Sequence, residues 1–201
     1  MDVSCIVLAG GRSSRLGQHK AQVIVGNKSL FQRVLSSVSF IEGEIIVVRS
    51  GEESFPSPSG ESEYRVVNDI YPRRGPLIGI LTGLKVSESQ HNLVVACDMP
   101  FLNQALLRYM IQQAEGFDVV IPRLGDMVEP LHAVYSRSCI EPMAKMVRDD
   151  NLSVHRLLGM VKARYIETDE IERFDPEHLS FFNINAKADL ERARKLADKE
   201  G

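Results

Sequence analysis

The chain has 201 residues, a net charge of −3, 44% hydrophobic residues and 25% charged residues. That length suits one domain spanning residues 1–201 with a core of its own, and the near-neutral balance excludes a non-specific binder of nucleic acid or membrane surfaces. No apolar run nears the ~20 residues of a membrane span, no basic-then-apolar leader opens the chain, and Cys5, Cys97 and Cys139 sit far apart in apolar settings, as reduced thiols of a cytoplasmic protein do.

Val3 to Leu8 is a short apolar, β-branched run and predicts a buried strand. It ends in Ala9-Gly10-Gly11 and a loop that carries Arg12, Ser13, Ser14, Arg15, Gly17 and Lys20. Paired glycines let a ligand approach the main chain, and the free N–H groups of such a loop make an anion-binding concavity. The basic side chains add to it, so the stretch predicts a polyphosphate site at the carboxyl end of a sheet. It is neither a P-loop nor a dinucleotide fingerprint. Gly17 is followed by Gln18-His19-Lys20-Ala21, and the first glycines are adjacent.

Apolar residues at helical spacing predict a helix over 28–40, followed by a strand over 44–48, and the first strand, helix and second strand form a right-handed parallel unit. Residues 51–63 are rich in Ser, Pro, Glu and Gly and predict an exposed connection, or a lid over the site. A third strand over 64–67 runs into Asp69 and then Gly75-Pro76-Leu77-Ile78-Gly79. A helix over 77–86 starts there, and its N-terminus favours electron-rich ligand groups.

The next strand, 92–97, delivers Asp98 to the ligand crevice. Magnesium prefers carboxylate oxygens and substrate phosphates, so Asp98 is the expected metal ligand, while Asn103 suits the cap of a helix over 104–114. A strand over 118–122, a polar turn over 123–128 and a strand over 129–136 follow. His132 lies in the last of these, where a histidine is either structural or turned toward a second substrate. Helices over 140–147 and 154–160 flank Asp149 and Asp150, expected to be a solvated pair. A strand over 163–168 comes next. Asn183 and Asn185 fall on alternate positions and are expected to project to one face of a strand before a closing amphipathic helix from Asp189. Strands alternating with helices predict a three-layer α/β/α, Rossmann-like domain with a mostly parallel sheet.

Several of these stretches resemble one family. The first loop is similar to the nucleotidyltransferase signature L-A-G-G-x-S-x-R-x-G-x-x-K at Leu8, Ala9, Gly10, Gly11, Ser13, Arg15, Gly17 and Lys20. Leu16 replaces a customary Met of similar volume. Asp69, Gly75, Pro76, Leu77 and Gly79 resemble D-x-x-x-x-x-G-P-L-x-G. Cys97, Asp98 and Pro100 resemble C-D-x-P, and residues 181–190 resemble F-x-N-I-N-T-P-x-D-L with Ala186-Lys187 in place of Thr-Pro. In this order they resemble the molybdenum cofactor guanylyltransferases. The resemblance implies a sheet of the nucleotide-diphospho-sugar transferase type.

It also implies transfer of GMP from GTP to the terminal phosphate of molybdopterin, bare or molybdenum-loaded, with Mg2+ and release of pyrophosphate. Leu8, Ala9, Gly10, Gly11, Lys20, Asp69, Gly75, Pro76, Leu77, Gly79 and Asp98 would then bind GTP. Arg15, Lys20 and Asp98 would be catalytic, with Asp98 on the metal, and His132, Asn183 and Asn185 would face the acceptor. Cofactor-delivery proteins or apo-molybdoenzymes are the implied partners of a monomer. Cytidylyl transfer, nucleotidyl transfer to a sugar phosphate, and a non-catalytic molybdenum cofactor carrier are the alternatives.

Overall fold

The computed structural model describes residues 2–9, 20–50, 63–72 and 74–199. Among these, strands β1 (Val3–Leu8), β4 (Ile45–Arg49), β5 (Arg65–Asn68), β6 (His91–Ala96), β7 (Val119–Leu124), β9 (His132–Ser136) and β10 (Ala163–Glu167) form one sheet in the order β10-β7-β9-β6-β1-β4-β5, and β8 (Met127–Val128) pairs with β7. β1 lies at its centre, parallel to β4 on one side and β6 on the other, so that Cys5 stands opposite both Ile45 and Leu93. β5 joins β4, and β10 joins β7, also in parallel. β9 reverses the main order, running antiparallel to β6 and β7, as does the short β8 against β7. A separate two-stranded hairpin, β2 (Ile24–Val25) and β3 (Lys28–Ser29), precedes the first helix.

The strand pleat sends alternate side chains to opposite faces. Cys5 and Val7 of β1 join Ile45, Val47, Leu93 and Val95 on one face, covered by α1 (Leu30–Val38), α3 (Gln104–Gln112) and α6 (Thr168–Glu172). Ile6 and Leu8 join Ile46, Val48 and Val94 on the other, covered by α2 (Pro76–Val86), α4 (Ile140–Arg148) and α5 (Val154–Leu158). The expected three-layer arrangement is therefore observed. A third, smaller core ties α7 (Lys187–Ala197) to the β2–β3 hairpin through Val23, Val25, Phe101, Ile184, Leu190 and Ala193. Among the described residues no helix is long and apolar enough to cross a membrane.

Two local expectations change. The polar turn expected over 123–128 is a hairpin, because β7 continues to Leu124 and turns back into β8. The stretch holding Asn183 and Asn185 is not a sheet strand, as it leaves a short 3-10 turn (Leu179–Phe181) and runs extended to α7. Asp149 and Asp150 are exposed, as expected, and Asp150 also takes a left-handed backbone angle and pairs with Arg74. Residues 51–62, which cover nearly all of the expected lid or connection, lie outside the described residues.

Candidate active site

Six strands (β1, β4, β5, β6, β7 and β10) end at one edge of the sheet, and β9 begins there. The basic loop leaves this edge from β1. Its Gly10, Gly11, Arg12, Ser13, Ser14, Arg15 and Gly17 lie outside the described residues. Lys20 is described, at the start of a short 3-10 turn over Lys20–Gln22. Its Nζ donates to Asp98 Oδ2 at 2.7 Å and to Asn185 Oδ1 at 3.0 Å. Three residues from three distant stretches of the chain thus converge on one ammonium group. The lysine and aspartate side chains are only 16% and 17% exposed, so their ion pair is less screened than a surface pair.

The fold fixes Asp98 from both sides. Cys97 donates its N–H to Leu8 O, which continues the β1–β6 ladder to the last residue before the turn. Ile184 donates its N–H to Asp98 O at 3.0 Å. Burial pushes the Cys97 thiol up to about 12, with the Asp98 charge adding to the effect and the Lys20 charge opposing it, so Cys97 is inert packing rather than a nucleophile.

The segment that brings Asn185 into place is held by a polar cluster that sequence reasoning missed. Asp175 is buried and accepts from Leu179 N at 3.0 Å and Ser180 N at 2.8 Å. Buried Ser180 accepts from Asn103 N through its Oγ at 2.9 Å. Asn103 caps α3, as expected, by accepting from Leu106 N, and its amide donates to Phe174 O. The turn after Asp98 and the stretch before Asn185 are thereby stapled together. Asp189 then takes the N–H groups of both Asn185 and Ala186 on one carboxylate oxygen, supplying the helix cap that Ala186 lacks. The only chemical signal of the cluster was an Asp-Pro pair in a polar stretch, which any turn shares.

Asn183 and Asn185 part company. Asn185 reaches Lys20, whereas the Asn183 amide donates to Phe181 O. His132 is a correction. It is fully buried on β9 opposite Val95, with its ring 4.9 Å from that of Phe181. It has no surface to offer an acceptor, and both ring nitrogens are buried without a hydrogen-bond partner. Burial pulls its pKa down to about 4, against the opposing pull of Asp175, so it is a neutral core residue.

The other half of the edge is built by β4, β5 and α2. Asp69 follows β5 and is buried, and its Oδ1 accepts from Tyr71 N at 3.3 Å and lies 3.1 Å from Thr82 Oγ1. Thr82 also takes the N–H of Ile70. Burial raises the Asp69 carboxyl above its usual range, against the pull of these two bonds. Asp69 therefore shapes the 69–71 turn. Gly75 sits at φ +102°, open to non-glycine residues only with strain, and a side chain there would meet nothing within 4 Å. Gly75 and Pro76 are exposed at the start of α2, where the following N–H groups are free of any side-chain cap.

Four signature residues do different work from that expected of ligand contacts. Leu77 is fully buried in the core. A Cβ on Gly79 would come within 3.2 Å of Leu8, so this glycine lets α2 approach β1 rather than a ligand. Leu8 O and Ala9 N are already used, by Cys97 N and Val48 O. Farther along the edge, Arg123 pairs with Glu167 and lies over the ring of Tyr165. Among the described residues no group of three or more His, Cys, Asp or Glu is placed to hold a metal ion alone.

Residues 5–165 match the model of the MobA-like NTP transferase domain. The chain belongs to the MobA-like NTP transferase family. It is 37% identical over 193 residues to a probable molybdenum cofactor guanylyltransferase of Pelotomaculum thermopropionicum, covering 96% of this chain and 92% of that one. Among solved structures, molybdopterin-guanine dinucleotide biosynthesis protein A from Archaeoglobus fulgidus superposes with a TM-score of 0.83 at 28% identity, covering 98% and 99% of the two chains. The 2-C-methyl-D-erythritol 4-phosphate cytidylyltransferase of Thermus thermophilus superposes with a TM-score of 0.74 at 17% identity over 98% and 100%. That last likeness is one of fold, so in MobA-like transferases the architecture by itself does not select the base.

Proposed function

We propose that the protein transfers GMP from GTP to the terminal phosphate of molybdopterin, bare or molybdenum-loaded, forming the guanine dinucleotide cofactor and releasing pyrophosphate. The observation that carries the chemistry is the convergence of Lys20, Asp98 and Asn185 at the carboxyl end of the sheet. The names of the relatives support guanine and molybdopterin as substrates.

The acceptor phosphate is already anionic, so its attack on the α-phosphorus needs no strong base. One P–O bond forms, the bond to the β-phosphate breaks, and the electron pair leaves with pyrophosphate. Positioning and charge neutralisation do the work. The Lys20 ammonium is a flexible point charge suited to the phosphates, and Asn185 orients it through its amide oxygen. Arg15 and the N–H groups of Gly10 and Gly11 are proposed to share the leaving pyrophosphate. Asp69, Gly75 and the start of α2 are proposed to hold the guanosine end, and Asn183 to lie on the acceptor side.

The Asp98 carboxylate, with no preformed cage of acidic, histidine or cysteine side chains beside it among the described residues, fits a magnesium ion, which keeps waters and takes its other ligands from phosphate. Asp98 would hold it, and Mg2+ would supply charge neutralisation at the α-phosphate. The three free, buried cysteines and scattered exposed apolar side chains support a cytoplasmic monomer. Its product would pass to delivery proteins or apo-molybdoenzymes.

Thermal unfolding with GTP, CTP, ATP and UTP, with and without Mg2+, tests the reading. GTP at a hundred times its Kd should add about 2.7 kcal/mol of apparent stability, and magnesium should strengthen the effect. Selective stabilisation by CTP would overturn guanylyl transfer in favour of cytidylyl transfer. Near-normal turnover of Asp98→Ala or Lys20→Ala would overturn the assigned roles. Nucleotide binding without pyrophosphate release in the presence of acceptor would leave a carrier.

A further inference from the structure

Asp98 is proposed above to serve a metal ion, yet one of its oxygens already holds a cation. Lys20 Nζ stands 2.7 Å from Oδ2 and is braced from the other side by Asn185 Oδ1 at 3.0 Å. Both charged side chains are largely shielded from water, so an exchange of partners is not screened away. A divalent ion arriving at the same carboxylate would meet the ammonium as a like charge a few ångströms away. Among the described residues it would also find no group of three or more His, Cys, Asp or Glu placed to hold it.

We propose that Lys20 acts as the resident counter-ion of Asp98 when no nucleotide is bound, and thereby restricts the divalent cation to entry together with the nucleotide's phosphates. The proposal rests on the guanylyl-transfer reading only in taking Asp98 as the metal carboxylate.

The exchange follows from the chemistry of the three groups. A triphosphate brings several anionic oxygens, and these satisfy the ammonium better than one shared carboxylate does. The lysine stem is long and flexible, so Nζ can leave Asp98 for phosphate without moving the backbone. Asp98 would then be free to hold the ion just when phosphate oxygens arrive to share it. Ammonium and metal ion would then no longer compete for one carboxylate. Asn185 gives Lys20 a fixed starting point, and its own segment is anchored by the Ile184-to-Asp98 backbone bond. The empty site thus stays neutral and does not capture a free cation. Metal and nucleotide each raise the other's affinity, as reciprocal coupling requires.

The test measures Mn2+ binding to the full-length protein by loss of the free-ion paramagnetic resonance signal, first with no nucleotide present. Wild type should bind Mn2+ weakly. Lys20→Met keeps the length of the stem and removes the charge, and it should bind Mn2+ about tenfold more tightly, within the usual range of coupling between sites. The gain should vanish in Lys20→Met/Asp98→Asn, and Lys20→Arg should resemble wild type. Adding a GTP analogue with a methylene bridge between the α- and β-phosphates should tighten Mn2+ on wild type much more than on Lys20→Met.

Equal Mn2+ affinity in wild type and Lys20→Met without nucleotide would overturn the proposal, as would a gain that persists when Asp98 is replaced. If Lys20→Met fails to fold, Lys20→Gln makes the same comparison, checked by circular dichroism. The nucleotide-free arm uses neither GTP nor turnover. A failure of guanylyl transfer therefore shows in the nucleotide series, and a failure of the counter-ion role shows in the Mn2+ series.

Discussion

Asp175→Ala separates the support of the site from its chemistry. Asp175 is 6% exposed, and its carboxylate accepts two backbone N–H groups, at 3.0 and 2.8 Å. Hydrogen bonds to a charged group contribute about 1.5–3 kcal/mol each, and an unpaired buried donor costs a similar amount. Taking the low end for both, because water can reach this rim, gives a loss of about 3 kcal/mol, or roughly a hundredfold in the folding equilibrium. A domain with ordinary stability of about 5–15 kcal/mol still folds. The substitution frees the start of the segment that carries Ser180 and, farther on, Asn185. Turnover should therefore fall about tenfold or more through misplacement of the Lys20 contact, while GTP affinity, which we propose rests largely on the residues after β5 and at the start of α2, changes less. Urea unfolding followed by circular dichroism measures the first effect, and pyrophosphate release at varied GTP measures the second. An unfolding free energy within about 0.5 kcal/mol of wild type, the range of an ordinary surface change, would refute the reasoning. So would a loss of stability with kcat unchanged.

A methyl group on Gly83 would lie 2.5 Å from Ile6 Cγ2, so Gly83→Ala should cost about 2 kcal/mol through overpacking, and the double variant with Ile6→Ala, which removes that carbon, should cost less than the sum of the two single changes, as urea unfolding would show. Thr82→Val removes a hydroxyl that pulls the Asp69 carboxyl down; the carboxyl then stays protonated to higher pH, and the acid limb of GTP binding should move upward in a pH series of binding isotherms. His132 has its pKa lowered from 6.5 to about 4 by burial, so between these values the unfolded chain binds the extra proton and stability falls as pH falls. At pH 5 that loss is about 2 kcal/mol relative to pH 8, and it should be absent from the unfolding curves of His132→Phe.

The architecture was legible because its signals are local. β1, β4 and β6 are short apolar β-branched runs, and α1 and α3 carry clear apolar stripes, so element type and order followed from periodicity. The misses have local causes too. Arg123 and Leu124 looked like turn residues, but β7 extends through them because β10 pairs as far as Arg123 and β8 pairs with both. The Asn183–Asn185 spacing has the period of a strand, yet the N–H groups of Ile184 and Asn185 go to Asp98 O and to the Asp189 carboxylate. Extended backbone bonded to a loop and a helix cap is indistinguishable from a strand by alternation alone.

The candidate site was legible in part, because a family signature mixes residues chosen for two purposes. Lys20, Asp98 and Asn185 stand in the motifs as carriers of charge or polar atoms, and the fold brings those atoms together. Leu77 and Gly79 stand in the same motifs for packing, the first filling the core and the second letting α2 lie close on Leu8. Nothing in the letters separates the two uses, since a glycine that admits a phosphate and a glycine that admits a strand look alike. Asp175 and Ser180 show the converse, as groups outside every motif hold the catalytic edge in register. Their role arises from contacts 71 to 77 residues apart, between Asn103 and the 174–180 stretch, and pairing at that range is written in the tertiary fold rather than in any local pattern. A substitution series confined to the motif residues would therefore mistake packing losses for catalytic ones, unless unfolding and turnover are measured on the same variants.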